Sequence, residues 1–464
     1  MRFDSLEFVL FFLVVFGVER CLGAGRARLW LLLLASYAFY ASWSPPFLLL
    51  LWFSTLLDFR MGHAIAKAQT PRRRKLMLAL SLVGNLGMLA YFKYDHFFTD
   101  AVSWVGFLPQ GTAFPRRDDL IIPLGISFYT FQTMSYTLDV YRKRIEPCRD
   151  LLEFSLFVSF FPQLIAGPIM RAGDLIPQIR NQRRAEERDI LIGVELFCVG
   201  AFKKVVIADN VARLSDACFG APGDWTGGAL ALGLVAYACQ FYCDFSGYST
   251  MARGLGRLLG FDLPRNFDAP LLSRNPWEFR QKWHMTMSQW FLDYVYRPLG
   301  RRWHGTWGMS ATVVFTWLLF ALWHGPTWNF LVWGLVNGVM LAAYRLVRKP
   351  LSRIRFPGFR PIARWGWLLL MIPSLAIFRA NNVADVQVYL WRLVTLAGDG
   401  QAAGVSWFLL LAGLFAFHAF CAARYKEDLL TRVRWPARMA LVAGSSTLIA
   451  LFSMSDKPFI YFQF

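Results

Sequence analysis

The chain has 464 residues, of which 56% are hydrophobic, 17% aromatic and 17% charged, where a soluble chain carries about 25% charged residues. That balance excludes disorder, collagen-like repeats and small disulfide scaffolds. The net charge of +19 would suit nucleic acid on a soluble module, but no such module stands between the apolar runs. The positive-inside bias of short cytoplasmic loops accounts for it, and no nucleic-acid partner is expected.

In chain order, apolar runs predict membrane helices over 5–19, 29–43, 45–59, 76–94, 120–140, 189–208, 229–250, 308–323, 327–345, 364–380, 403–422 and 438–455. Several are shorter than the roughly 20 residues of a perpendicular crossing, which suits a bundle in locally thinned lipid. The first run has no sizeable basic flank and no small-residue cleavage site, so it is expected to remain as a helix. Segment 150–166 is apolar but ends in FFPQLIAGPIM. Its prolines, glycine and glutamine predict a re-entrant or broken helix lining a cavity. Segment 283–300 reads as a second re-entrant or surface helix.

Eight loops (20–28, 60–75, 141–149, 171–188, 251–282, 297–302, 345–365 and 424–438) carry 39 of the 49 Lys and Arg residues. With both re-entrant assignments all eight fall on one side, which predicts twelve crossings with periplasmic N- and C-termini. The expected fold is all-α: a polytopic transmembrane bundle of about 11–12 crossings, with re-entrant helices and a central cavity, in a single domain over 1–464. The seven cysteines are scattered. Cys239 and Cys243 stand four apart with no His or further Cys beside them, so they read as packing residues and no metal site is expected.

Six histidines are present. His324 lies where an apolar run meets Trp323-His324-Gly325-Pro326 and another begins. A helix break at membrane depth is tolerated only against protein or a wet cavity, and a titratable ring there marks a candidate site. The competing reading is an interfacial ring bonded to a carbonyl. His284 precedes Met287, Trp290, Phe291 and Tyr294, the steps of an amphipathic helix on which His284 and Ser288 would share a face. That pair faces a cavity or simply lies on the membrane surface. His304 reads as interfacial, and His63, His96 and His418 as structural.

Asp244 and Ser246 sit near the end of a span, and an acid there must be paired, hydrated or protonated. Arg253 or Arg257 is the partner at helix distance, in either a structural network or the wall of a donor tunnel. Asn329 and Asn337 suggest an inward polar face, and the polar residues of 120–140, among them Gln132 and Tyr136, suggest a wet lining. Soluble catalytic signatures are missing from the sequence: no nucleophile elbow, Walker loop, dinucleotide fingerprint or HExxH pair. A histidine acting as general base on a hydroxyl remains, and it needs a neutral ring, which burial favours.

The blocks PLGISFYTFQTMSYTLDVYR (123–142), FFPQLIAGPIMR (160–171), CDFSGYSTMARGLGRLLGF (243–261), WHMTMSQWFLDYVYRPLG (283–300) and LWHG (322–325) resemble, in order, the membrane-bound O-acyltransferase family. The terminal KPFIYFQF (457–464) adds a likeness to the bacterial branch that acetylates exopolysaccharides such as alginate or cellulose. The core motifs fall within 120–345. The resemblance implies His324 as the active-site histidine and His284 as the second. It also implies a ring of helices around a thinned centre, with acetyl-CoA as donor in a cytoplasmic funnel and no bound cofactor. Asp244, Ser246, Arg253 and Ser288 are then candidates for holding that donor. The implied partners are the exopolysaccharide or periplasmic acetyl-carrier and acetyltransferase proteins, together with membrane lipid of the bacterial inner membrane. Teichoic acid, a lipid or a secreted protein as acceptor, and a transport or scaffold role, are the alternatives.

Overall fold

The computed structural model describes residues 1–94, 122–352, 366–424 and 435–452. His96 and the terminal 457–464 block lie outside the described residues. Two compact units emerge: Met1–Phe197 with Tyr248–Pro264, and Cys198–Gly247 with Arg265–Phe464.

In the first unit, α1 (Leu6–Cys21) starts where the Ser5 hydroxyl accepts from the Phe8 N–H at 3.3 Å, with Glu7 complementing the helix dipole. After α2 (Arg26–Ala41) come α3 (Leu48–Lys67) and α4 (Pro71–Lys93), the latter capped by Thr70 with Pro71 in its first turn. Then follow α5 (Ile126–Tyr141) and α6 (Leu151–Ser159), whose cap is the Asp150 carboxylate on the Leu152 N–H. Pro162 has no N–H to continue the ladder, so α6 stops at Phe160 (φ −49°, ψ 106°) and α7 (Phe161–Leu164) restarts. The helix expected to be broken in 150–166 is broken here. The helices α8 (Ala172–Asn181) and α9 (Glu187–Ala201) follow.

Polar side chains join α3, α4 and α5. Ser81 donates to Asp58 Oδ1 at 2.6 Å, Asn85 donates to Asp58 Oδ2 at 2.8 Å, and Ser54 donates to Asn85 Oδ1 at 2.7 Å. Thr133 and Thr137 close the cluster at 3.1 Å from Ser54 and 2.9 Å from Ser81. A Cβ on Gly62 would stand 2.5 Å from Tyr136 Oη, so only glycine lets α3 approach α5 this closely. Of the polar residues of 120–140, expected to line something wet, Gln132 and Tyr136 bond to protein, while the buried Tyr129 Oη and Thr130 Oγ1 have no hydrogen-bond partner among the described residues. Gln132 donates to the Phe157 carbonyl at 2.6 Å, and Tyr136 Oη accepts from the Cys148 N–H at 3.1 Å. Arg28 is fully buried, paired with Glu19 at 2.7 Å and donating to the Leu259 and Arg183 carbonyls.

The second unit opens with a π-helical turn, Phe202–Ala208, then α10 (Asp209–Gly220) and α11 (Gly227–Leu258), which belongs to this unit up to Gly247. Short helices α12 (Pro276–Lys282), α13 (Met285–Phe291) and α14 (Arg297–Gly300) follow, the last two separated by a second π turn, Leu292–Tyr296. An αα-hairpin of α15 (Gly305–His324) and α16 (Trp328–Ser352) packs closely, since a Cβ on Gly334 would meet that of Ala321 at 2.4 Å. The remaining helices are α17 (Ser374–Arg379), α18 (Val383–Val394), α19 (Val405–Arg424) and α20 (Trp435–Phe452).

The fold is an all-α polytopic membrane bundle. Among the described residues six helical stretches are long and apolar enough to cross a membrane: Pro45–Lys67, Pro71–Lys93, Gly227–Leu258, Gly305–His324, Trp328–Pro350 and Val405–Ala422. Each apolar run marked in the sequence contains helix. Among the described residues no three His, Cys, Asp or Glu side chains gather where they could hold a metal ion.

Candidate active site

The last residue of α15 is His324. Pro326 pushes the residue before it out of helical geometry, and Gly325 is extended (φ −173°, ψ 155°). The imidazole, 3% exposed, is ringed by Phe320, Trp333 and Phe378 at centroid distances of 4.9, 5.5 and 5.2 Å.

His284 departs from its expected place. It does not share a helical face with Ser288, because it precedes α13 in left-handed backbone (φ 43°, ψ 58°) and its carbonyl accepts the first helical bond, from the Ser288 N–H at 2.9 Å. Asn266 fixes this turn. Its carbonyl oxygen accepts from the Met285 N–H at 2.8 Å, and its side-chain oxygen accepts from the Thr286 hydroxyl at 2.6 Å. The backbone thereby turns the imidazole into the protein, fully buried. Burial pushes its pKa down to about 3, so the ring is neutral at physiological pH.

One indole joins the two histidines. Trp323 stands 5.9 Å from the His284 ring and 5.0 Å from the His324 ring, and is itself buried. Phe245 of α11 packs edge-on to His284 at 4.7 Å. Asp244 and Ser246 flank Phe245, each 2% exposed. Asp244 meets a cation that helix spacing did not point to. Lys204, in the first π turn, pairs with it at 3.1 Å and with Asp209 at 2.7 Å. Arg253 belongs to the first unit, where its Nε donates to the Leu263 carbonyl at 3.4 Å, and Arg257 there pairs with Asp189 and Asp262. The second unit thus brings together His284, His324, Asp244 and Ser246, while Arg253 belongs to the other unit.

Beside the histidines lies a cavity of about 60 Å³, with Arg280, Trp283, Ser288, Thr316, Trp317 and Phe320 in its wall. Ser288 lines this cavity, and its hydroxyl donates to the Trp283 carbonyl at 3.1 Å. Asn329 and Asn337 are turned inward, donating to the Ala380 and Trp333 carbonyls at 2.9 and 2.8 Å. Of the remaining histidines, His63 bonds to the Phe59 carbonyl at 2.9 Å, His304 caps α15, and His418 packs against Tyr242. The sequence reading missed Lys204, Trp323 and Phe378. The Trp-His step was visible, but the other two reach the site only through tertiary packing. Two imidazoles in an aromatic shell, against a narrow cavity, can take a proton from a hydroxyl and shelter a developing charge from water.

The model for the membrane-bound O-acyltransferase family matches residues 148–379, and the chain belongs to that family as a membrane-bound O-acyltransferase. It is 35% identical to the probable alginate O-acetylase AlgI of Pseudomonas putida over the whole of both chains. It is 38% identical to the probable alginate O-acetylase AlgI of Azotobacter vinelandii, over 85% of this chain and 77% of that one. It is also 33% identical to the peptidoglycan O-acetyltransferase of Helicobacter pylori, over 80% of this chain and 74% of that one.

Proposed function

We propose that this chain is an O-acetyltransferase that moves an acetyl group from a cytoplasmic donor, acetyl-CoA, across the bacterial inner membrane to hydroxyls of an exopolysaccharide such as alginate or cellulose. Transfer runs directly to the glycan or through periplasmic acetyl-carrier and acetyltransferase proteins. The observation that carries this reading is the end-to-end likeness to a probable alginate O-acetylase. The paired buried histidines supply its chemistry. His324 removes the proton of the acceptor hydroxyl as its oxygen attacks the thioester carbonyl. The carbon–sulfur bond then breaks, and the leaving thiolate takes the proton back from His324. His284 orients the donor or steadies the oxyanion, and alignment of the two substrates across a thin wall supplies proximity. Segment 150–166 dips into the membrane and returns, the cavity is central, and both termini are periplasmic.

The test is the acetyl content of secreted polymer from a deletion strain complemented with wild type, His324→Ala or His284→Ala, with membrane protein levels measured in parallel. Loss of acetyl at normal abundance is expected for both variants, and wild-type acetylation by His324→Ala sinks the mechanism. The likeness to a peptidoglycan O-acetyltransferase favours one second reading, acetylation of cell-wall glycan. Acetyl on muropeptides rather than on secreted polymer would select it.

A further inference from the structure

The cavity beside the histidines has a feature that the proposed mechanism does not use. Arg280 lies in its wall together with Trp277 and Phe279 of the same short helix, whose Glu278 is paired with Lys282 at 3.0 Å. The Arg280 guanidinium stands over the Trp277 ring at 5.1 Å, and the Arg348 guanidinium stands over the same ring at 5.9 Å. Among the described residues neither arginine has a carboxylate partner, and the buried Arg280 Nε has no hydrogen-bond partner. Burial also lowers the Arg280 pKa, though a guanidinium keeps its charge. Arg348 is exposed, so the buried cost falls on Arg280, whose guanidinium at the wall of an apolar cavity is stabilised when an anion joins it.

The placement of the pair also acts as a ruler. Trp277 and Tyr296 pack against Val313 of α15. The cavity wall runs from Val313 to Phe320, whose ring touches that of His324 at 4.9 Å. Val313 and His324 are eleven residues apart on one helix, ~16 Å at the α-helical rise. The cavity lies along that path.

We propose that Arg280, with Arg348 on the same indole, is a positioning residue that holds a phosphate of the acyl donor and fixes how far the donor's thioester arm reaches along α15 toward His324. This rests on the proposed acetyl transfer from a phosphate-bearing thioester. Guanidinium suits the task because it meets phosphate oxygens with two parallel N–H donors. Ser288 and Thr316 line the path as hydroxyls for the arm's polar groups.

The experiment measures thermal stabilisation of the purified full-length protein by CoA, 4′-phosphopantetheine and pantetheine, none of which requires acetyl transfer. Wild type is expected to respond to the two phosphorylated ligands and not to pantetheine, and R280Q to bind them about tenfold more weakly or worse, the scale of a lost charge-assisted bond. R280K should recover part of the response, and R348Q, which carries the same expectation, serves if R280Q does not accumulate. A response to CoA alone keeps the proposal and assigns the nucleotide phosphates. CoA binding unchanged in both R280Q and R348Q, or pantetheine binding as well as CoA, overturns it. Stabilisation by phosphatidylglycerol nanodiscs but not by CoA, lost in R280Q, assigns the phosphate to lipid and also overturns it. H324A should keep the CoA response while losing acetylation, so failure of the chemistry and failure of donor holding are read separately. In turnover, R280Q should raise KM for acetyl-CoA more than it lowers kcat.

Discussion

The first unit and the second each bury titratable side chains among helices, and they surround them differently. Asp58 in the first unit is met by Ser81 and Asn85, with Ser54, Thr133 and Thr137 completing a closed set of hydrogen bonds. In the second unit His284 and His324 are met by phenyl and indole rings. A polar group whose neighbours satisfy it is committed to holding helices together. Rings pack around the two imidazoles and set them in an apolar shell, the surroundings that the proposed proton transfer calls for. The two regions thus bury titratable groups equally and differ in the chemistry of the neighbours.

The sharpest way to break that contrast is to cut one residue from each region. His324→Ala should reduce acetyl transfer on the order of 10²–10⁴-fold, the scale of a lost general base, with membrane abundance unchanged. If abundance falls in proportion, His324 is a clasp like Asp58. Next comes Lys204→Met, which strips the cation from Asp209 and Asp244 and should cost about 3–5 kcal/mol as two buried carboxylates lose their partner. Thermal melting in detergent checks it, and a melt equal to wild type would show that neither acid needs the lysine. Asn85→Leu, which leaves Ser54 and Asp58 short of a partner, should cost about 1–3 kcal/mol while activity per folded molecule persists. A full-stability variant with lost activity would move this cluster into the chemistry.

The smallest effect sharpens the comparison through pH. His284 is held neutral with a pKa near 3, whereas an unfolded histidine titrates near 6.5. The unfolded chain thus binds more protons between those values, and stability must decline as pH falls from about 6.5 toward 3. His284→Gln, which fills similar space without titrating, should flatten that part of the melting profile. An unchanged slope would mean that the imidazole protonates in place.

The legible part of the molecule was its local part. Apolar runs announced helices, Pro162 announced the break after α6, and Gly325-Pro326 announced where α15 had to end with His324 at its tip. Lys204 was illegible as the partner of Asp244 because forty residues separate them, and the arginines nearby in sequence looked adequate. His284 was placed on a helix because the three- and four-residue steps run on from Trp283. The hydrogen bonds that Met285 and Thr286 donate to Asn266, which start α13 one residue later, leave no periodic trace. Arg280 meets Trp277 three residues back on α12, a local helical pair, whereas Arg348 of α16 reaches the same ring only by tertiary packing.

The left-handed backbone at His284 (φ 43°) has a practical consequence. A residue with a Cβ gives up roughly 1–2 kcal/mol there that glycine does not, so His284→Gly trades lost packing against relieved strain and leaves a vacancy shaped like an imidazole. Free imidazole added to membranes of that variant would be expected to occupy the vacancy and restore part of the activity, a chemical rescue that Ala, with its Cβ still in a disfavoured conformation, would support less well.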